Sequence, residues 1–119
     1  MKYALLIYAD PAIAPAEGSV EFAAEMEGWF AYSTKLAEAG SMLGGEGLLD
    51  GHTATSVRVR DGKTVTYDGP FAETKEVLGG FYIIDVDNLD AAIEWASKIP
   101  NVGYGTVEVR PVMEVPDQG

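Results

Sequence analysis

Gly79-Gly80-Phe81-Tyr82-Ile83-Ile84-Asp85-Val86-Asp87-Asn88-Leu89-Asp90-Ala91-Ala92-Ile93-Glu94-Trp95-Ala96-Ser97-Lys98-Ile99-Pro100 passes from one structural period to another. Residues 81–85 are a strongly apolar run after two glycines, the pattern of a central strand. Asp87 or Asn88 then offers a side-chain oxygen to cap a helix whose inward positions are Leu89, Ala92, Ile93, Ala96 and Ile99. Pro100 lacks the N–H that another turn would need, so the helix stops there. Glu94 and Lys98 add an i,i+4 pair on its outer side.

The first half of the chain repeats this order. Residues 3–8 (Tyr-Ala-Leu-Leu-Ile-Tyr) are continuously apolar until Asp10 and Pro11, which predicts a strand covered on both faces. After a proline-containing loop, Ser19 is placed to cap a helix with Phe22, Met26, Trp29, Phe30, Ser33, Leu36 and Ala37 along its inward face. Gly40 follows, where a left-handed residue would close the last turn. The aromatic stripe is expected in the core rather than around a cofactor.

Between the halves, residues 42–51 carry Gly44, Gly45 and Gly47 without the helix that a phosphate-binding loop requires, and predict a short bent strand. Residues 53–60 and 64–68 predict a hairpin, with Val57 and Val59 inward and Arg58 and Arg60 outward. A three-residue loop of Arg60, Asp61 and Gly62 would set Val57 opposite Val65 and keep the faces unmixed. Residues 106–112 alternate Val107 and Val109 with Glu108 and Arg110 as a last strand.

Two βα units, each completed by a further strand, predict an α+β domain: a ferredoxin-like sandwich with an antiparallel sheet and both main helices on one face. The sheet's other face then needs cover. A second copy of the same sheet would supply it, so a homodimer is expected from burial alone.

Composition bounds the remaining possibilities. The chain's 119 residues suit a single domain, here residues 1–119, and 47% hydrophobic with 23% charged residues is ordinary for a globular protein. No apolar run approaches the roughly 18 residues of a membrane helix, and the opening strand turns polar without a signal-like region, so a cytoplasmic location and no membrane contact are expected. Net charge of −11 without a basic cluster argues against nucleic acid. The absence of cysteine removes disulfides, thiolate nucleophiles and the common zinc sites. No cofactor is implied.

With these elements placed, Asp68-Gly69-Pro70-Phe71-Ala72-Glu73-Thr74-Lys75-Glu76 stands out, and the chain resembles the DGPF branch of the YCII-related superfamily. Supporting segments include Met1-Lys2-Tyr3, Thr53-Ala54-Thr55, Gly79-Gly80-Phe81-Tyr82 and Val107-Glu108-Val109-Arg110-Pro111. The resemblance implies a dimeric α/β barrel in which two ferredoxin-like sheets pack face to face around a cleft. It also implies a few members acting on small molecules through a histidine and an aspartate, and some members linked to sigma factors. Residues 22–29 here contain no histidine, and Ile99-Pro100-Asn101-Val102 contains no aspartate, so that mechanism is not carried across.

The 68–76 segment is the densest cluster of ionisable and backbone-restricting residues. Pro70 fixes its own φ and biases Gly69 toward extended backbone, so the loop is expected to be rigid, with Phe71 anchored in the core. On that frame Asp68 and Glu73 are the candidate acid and base, with Lys75 tuning a neighbouring carboxylate. Arg58 could take an anionic group, and Tyr82, Tyr8 and Tyr104 could each place a hydroxyl in the cleft, since alternation does not say which face they take. His52 is the one side chain that ordinarily titrates near neutrality. No metal site is assigned, because only Glu46 and Asp50 lie near His52 in sequence. Two functions stay open: a small-molecule enzyme or binder, and a non-catalytic dimeric module that engages a protein.

Overall fold

The computed structural model describes residues 1–71 and 74–115. Its elements run β1 (Lys2–Ala9), α1 (Val20–Glu38), β2 (Met42–Gly47), a short 3-10 turn (Gly51–Thr53), β3 (Thr55–Arg60), β4 (Lys63–Asp68), β5 (Val77–Asp85), α2 (Leu89–Ser97) and β6 (Thr106–Pro111). Strands β2, β5, β1 and β6 lie in that spatial order as one antiparallel sheet, and β3 pairs with β4 as a separate two-stranded sheet. The four-stranded sheet with two helices is compatible with the ferredoxin-like arrangement. The β3–β4 hairpin is then an insertion between β2 and β5.

One face of the main sheet makes the core. Tyr3, Leu5 and Ile7 of β1 and Tyr82 and Ile84 of β5 are buried with Tyr32 and Leu36 of α1, and with Ala92, Ala96 and Ile99 from the α2 region. Val107 and Val109 of β6 pack against this cluster, as their alternation predicts. The caps also follow the sequence. The Ser19 hydroxyl accepts the Phe22 N–H at 3.1 Å, the Asn88 side chain accepts the Ala91 N–H at 2.9 Å, and Gly40 takes φ +72° beyond the α1 C-terminus.

Both helices are rotated from the expected stripe. In α1 Phe30 is 69% exposed and Met26 38%, while Tyr32 is buried with its hydroxyl donating to the Trp95 carbonyl at 2.9 Å. Phe30 follows Trp29 by one residue, about 100° around the helix, so a face centred on Trp29, Ser33 and Leu36 turns it outward. In α2 the inner stripe is Ala92, Trp95, Ala96 and Ile99, leaving Leu89 and Ile93 half exposed. Small alanines let that helix approach the sheet closely along a narrow line.

The hairpin departs most from expectation. Its register pairs Val57 with Thr66, Arg58 with Val65 and Arg60 with Lys63, so only Asp61 and Gly62 form the turn. Their φ values of +53° and +74° are those of a type I′ turn, whose twist matches the flanking strands, and Asp-Gly is a favoured pair for it. Mixing the faces costs little because neither is covered within the chain: Val57 is 60% and Val59 59% exposed, contrary to the inward placement expected.

Candidate functional site

The sheet face opposite the helices carries Ala4, Leu6 and Tyr8 of β1 beside Phe81 and Ile83 of β5. The register sets Leu6 between Phe81 and Glu108, and Tyr8 between Leu78 and Thr106. Because β6 turns Val107 and Val109 into the core, Thr106, Glu108 and Arg110 project on this open side. An apolar strip therefore ends in a polar rim.

At that end Tyr8, Thr74, Glu76, Thr106 and Glu108 surround an open depression of about 470 Å³. The Thr106 hydroxyl lies 2.9 and 3.1 Å from the two carboxylate oxygens of Glu76, to which it donates, and the Tyr8 hydroxyl donates to Glu108 at 3.5 Å. The Thr74 hydroxyl donates to the Glu76 carbonyl at 2.5 Å, bracing the segment that delivers Glu76. A carboxylate has about four acceptor positions, so each retains capacity for donors of a bound molecule. Among the described residues, neither carboxylate forms an ion pair.

The start of the 68–76 segment borders a second, apolar groove of about 370 Å³, lined in part by Leu48, Ala54, Pro70, Val77 and Leu78. Backbone bonds fix its edge: the Gly69 N–H donates to Ala54 O at 2.7 Å, and the Ser56 hydroxyl donates to Gly69 O at 2.8 Å. Gly69 takes φ +96° instead of the expected extended backbone, because the chain reverses as it leaves β4 and glycine alone does so without strain. Phe71 is 69% exposed rather than anchored in the core. Its ring lies against the Arg58 guanidinium, 4.6 Å from the centroid, and Tyr67 lies 5.7 Å from the same group.

The other candidate residues are dispersed. Asp68 ends β4 opposite Thr55, exposed. Glu73 lies outside the described residues, and Lys75 is exposed. His52 occupies the turn whose Gly51 abuts Pro70, and its nearest carboxylate is Asp50 at 3.9 Å, both side chains largely in solvent. Tyr82 sits on the helix side, stacked with Trp29 and hydrogen-bonded to the Ser33 hydroxyl at 2.6 Å.

Of the residues around the depression, Tyr8 is one of the three candidate tyrosines, whereas Glu108 is singled out by no motif. The alternation of β6 did place Glu108 on the side away from Val107 and Val109. Only the register of β1 with β6 puts it beside Tyr8.

A separate polar cluster fastens the loop after α2 to α1. Both the Tyr104 hydroxyl and the Trp29 indole N–H donate to Glu25, the latter at 3.3 Å. Burial, then the Glu25 hydrogen bond and charge, raises the Tyr104 phenol above its ordinary range, and burial chiefly does the same for Tyr32. Among the described residues, no helix is long and apolar enough to cross a membrane.

Residues 1–116 match the family described as YCII-related domain. An uncharacterized protein of Rhizobium meliloti (strain 1021) is 39% identical over 114 residues, spanning 94% of this chain and 92% of that protein.

Proposed function

The chain belongs to the YCII-related domain family, and we propose that it acts in the cytoplasm as a homodimer that binds a small polar molecule and has the carboxylates for acid–base chemistry on it. The supporting observation is the placement of Glu76 and Glu108 around one depression, each bonded to a hydroxyl, at the end of an apolar sheet face. A second copy on that face covers Leu6, Phe81 and Ile83 and closes the depression into a cleft. Its ligand carries hydroxyl or amine donors that meet the two carboxylates.

Asp68 and Glu73 remain the acid and base candidates on the 68–76 segment, with Arg58, Lys75 and His52 as candidate ligand contacts. A thermal-shift panel of polyols, amines and hydroxy acids tests the reading. A ligand at a hundred times its dissociation constant stabilises by about 2.7 kcal/mol. Glu76→Gln and Glu108→Gln are expected to lose that shift while remaining folded by circular dichroism. Retention of the full shift in both removes the depression from the site, and Asp68→Asn and Glu73→Gln in the same panel assign it to the other end of the segment.

The outer face of α1 favours a second reading, a dimeric module that docks a protein, because Val20 and Phe30 are 81% and 69% exposed there. Val20→Asp and Phe30→Asp would weaken such docking without altering the ligand shift.

A further inference from the structure

The β3–β4 hairpin has no ladder to the main sheet, and an isolated two-stranded hairpin is only marginally stable in water. Its register collects Arg58, Arg60 and Lys63 on one face with Val65 and Tyr67, and Thr55, Val57, Val59, Thr64 and Thr66 on the other. Three of the chain's eight cations thus share one face of this 14-residue hairpin, which holds two carboxylates in all, Asp61 in the turn and Asp68 on the other face. The hairpin is net positive in a chain whose total is −11. Among the described residues none of the three cations forms an ion pair.

The molecule measures 48 × 47 × 21 Å, and the short dimension is that of one helix layer on one sheet. The hairpin therefore extends within the slab and does not fold over the open sheet face. Six-residue strands hold the turn about 17 Å from the strand ends at Thr55 and Asp68. Arg60 and Lys63 are thereby carried away from the chain's own body, both exposed to solvent.

We propose that the hairpin is an arm that reaches a second copy of this chain and sets Arg60 and Lys63 against the Glu76 and Glu108 of that copy. Charge selects this occupant. The body of the chain is strongly acidic, and its open-face depression holds two carboxylates that form no ion pair among the described residues, matching the net-positive arm. Two-fold symmetry makes the contact twice, once from each arm, so each carboxylate site is completed by its partner's cations. The inference rests on the homodimer reading above.

Zero-length carbodiimide cross-linking joins Lys63 to a carboxylate only on direct contact. Isotopically heavy and light full-length protein, mixed and allowed to exchange, should give Lys63–Glu76 or Lys63–Glu108 peptides of mixed mass. Charge reversal by Arg60→Glu with Lys63→Glu should weaken the dimer about tenfold or more in sedimentation, and adding Glu76→Lys with Glu108→Lys should restore it. Circular dichroism confirms that each variant folds. A dimer that tolerates the reversal, or cross-links confined to single chains, overturns the arm and leaves the dimer standing. A wild-type protein that sediments as a monomer at every concentration overturns both.

Discussion

The guanidinium of Arg58 lies 4.6 Å from the centre of the Phe71 ring, tying the middle of β3 to the turn that follows β4. A planar cation stacked on an aromatic face at an exposed site contributes about 0.5–1 kcal/mol. Arg58→Lys keeps the charge and loses the planar stack, so it should forfeit most of that coupling. A double-mutant cycle with Phe71→Ala, read as hydrogen-exchange protection at Gly69, measures it. Additive effects would mean that the contact holds nothing.

Thr106 bridges β6 to the segment that precedes β5 through Glu76. Thr106→Val keeps the shape and removes the donor, and should cost about 1 kcal/mol or less because the carboxylate can turn to water. Exchange at residues 74–78 should rise while the core strands stay protected. Unchanged exchange there would show that the segment is positioned without Glu76.

Alkaline pH should destabilise the protein through two phenols, one buried and one partly buried. Tyr32 and Tyr104 have folded values raised above the ordinary 10, so their contribution is intact below about pH 10 and is lost as pH rises past it, where the unfolded chain ionises first. Urea midpoints between pH 8 and 11 should fall less steeply in Tyr32→Phe and Tyr104→Phe. Equal slopes in wild type and both variants would contradict this.

A β-carbon at Gly45 would lie 2.8 Å from the Phe81 carbonyl oxygen and 2.8 Å from a ring carbon of Tyr82, whereas at Gly47 it meets nothing within 4 Å. Gly45→Ala should therefore cost about 1–3 kcal/mol in chemical denaturation, and Gly47→Ala less than 1. Similar losses at both positions would place the cost in backbone freedom instead of the contact with β5.

Much of the scaffold is legible without coordinates. The continuous apolar runs of β1 and β5 mark central strands, because only a strand covered on both sides dispenses with polar alternation. Ser19, Asn88, Gly40 and Pro100 mark the helix ends, because unpaired backbone groups there demand particular side chains or φ values. The alternation of β6 separates Val107 and Val109 from Glu108. Periodicity places Phe30, Leu89 and Ile93 inward, because it defines a stripe without fixing its edges. Alternation places Val57 and Val59 inward, because a β-branched pair does not disclose that its sheet stands apart.

What the amino-acid order determines alone is the set of strands and helices, their capped ends and the α+β class, since each follows from local backbone chemistry and from which apolar residues share a face. What tertiary structure decides is register and rotation: that Asp61 and Gly62 alone turn the hairpin, that Tyr82 turns to the helices, and that Tyr8 meets Glu108 while Thr106 meets Glu76. All but the hairpin turn depend on pairings between residues 30 to 100 positions apart, settled by how the main sheet closes over its core and by no signal within any one segment.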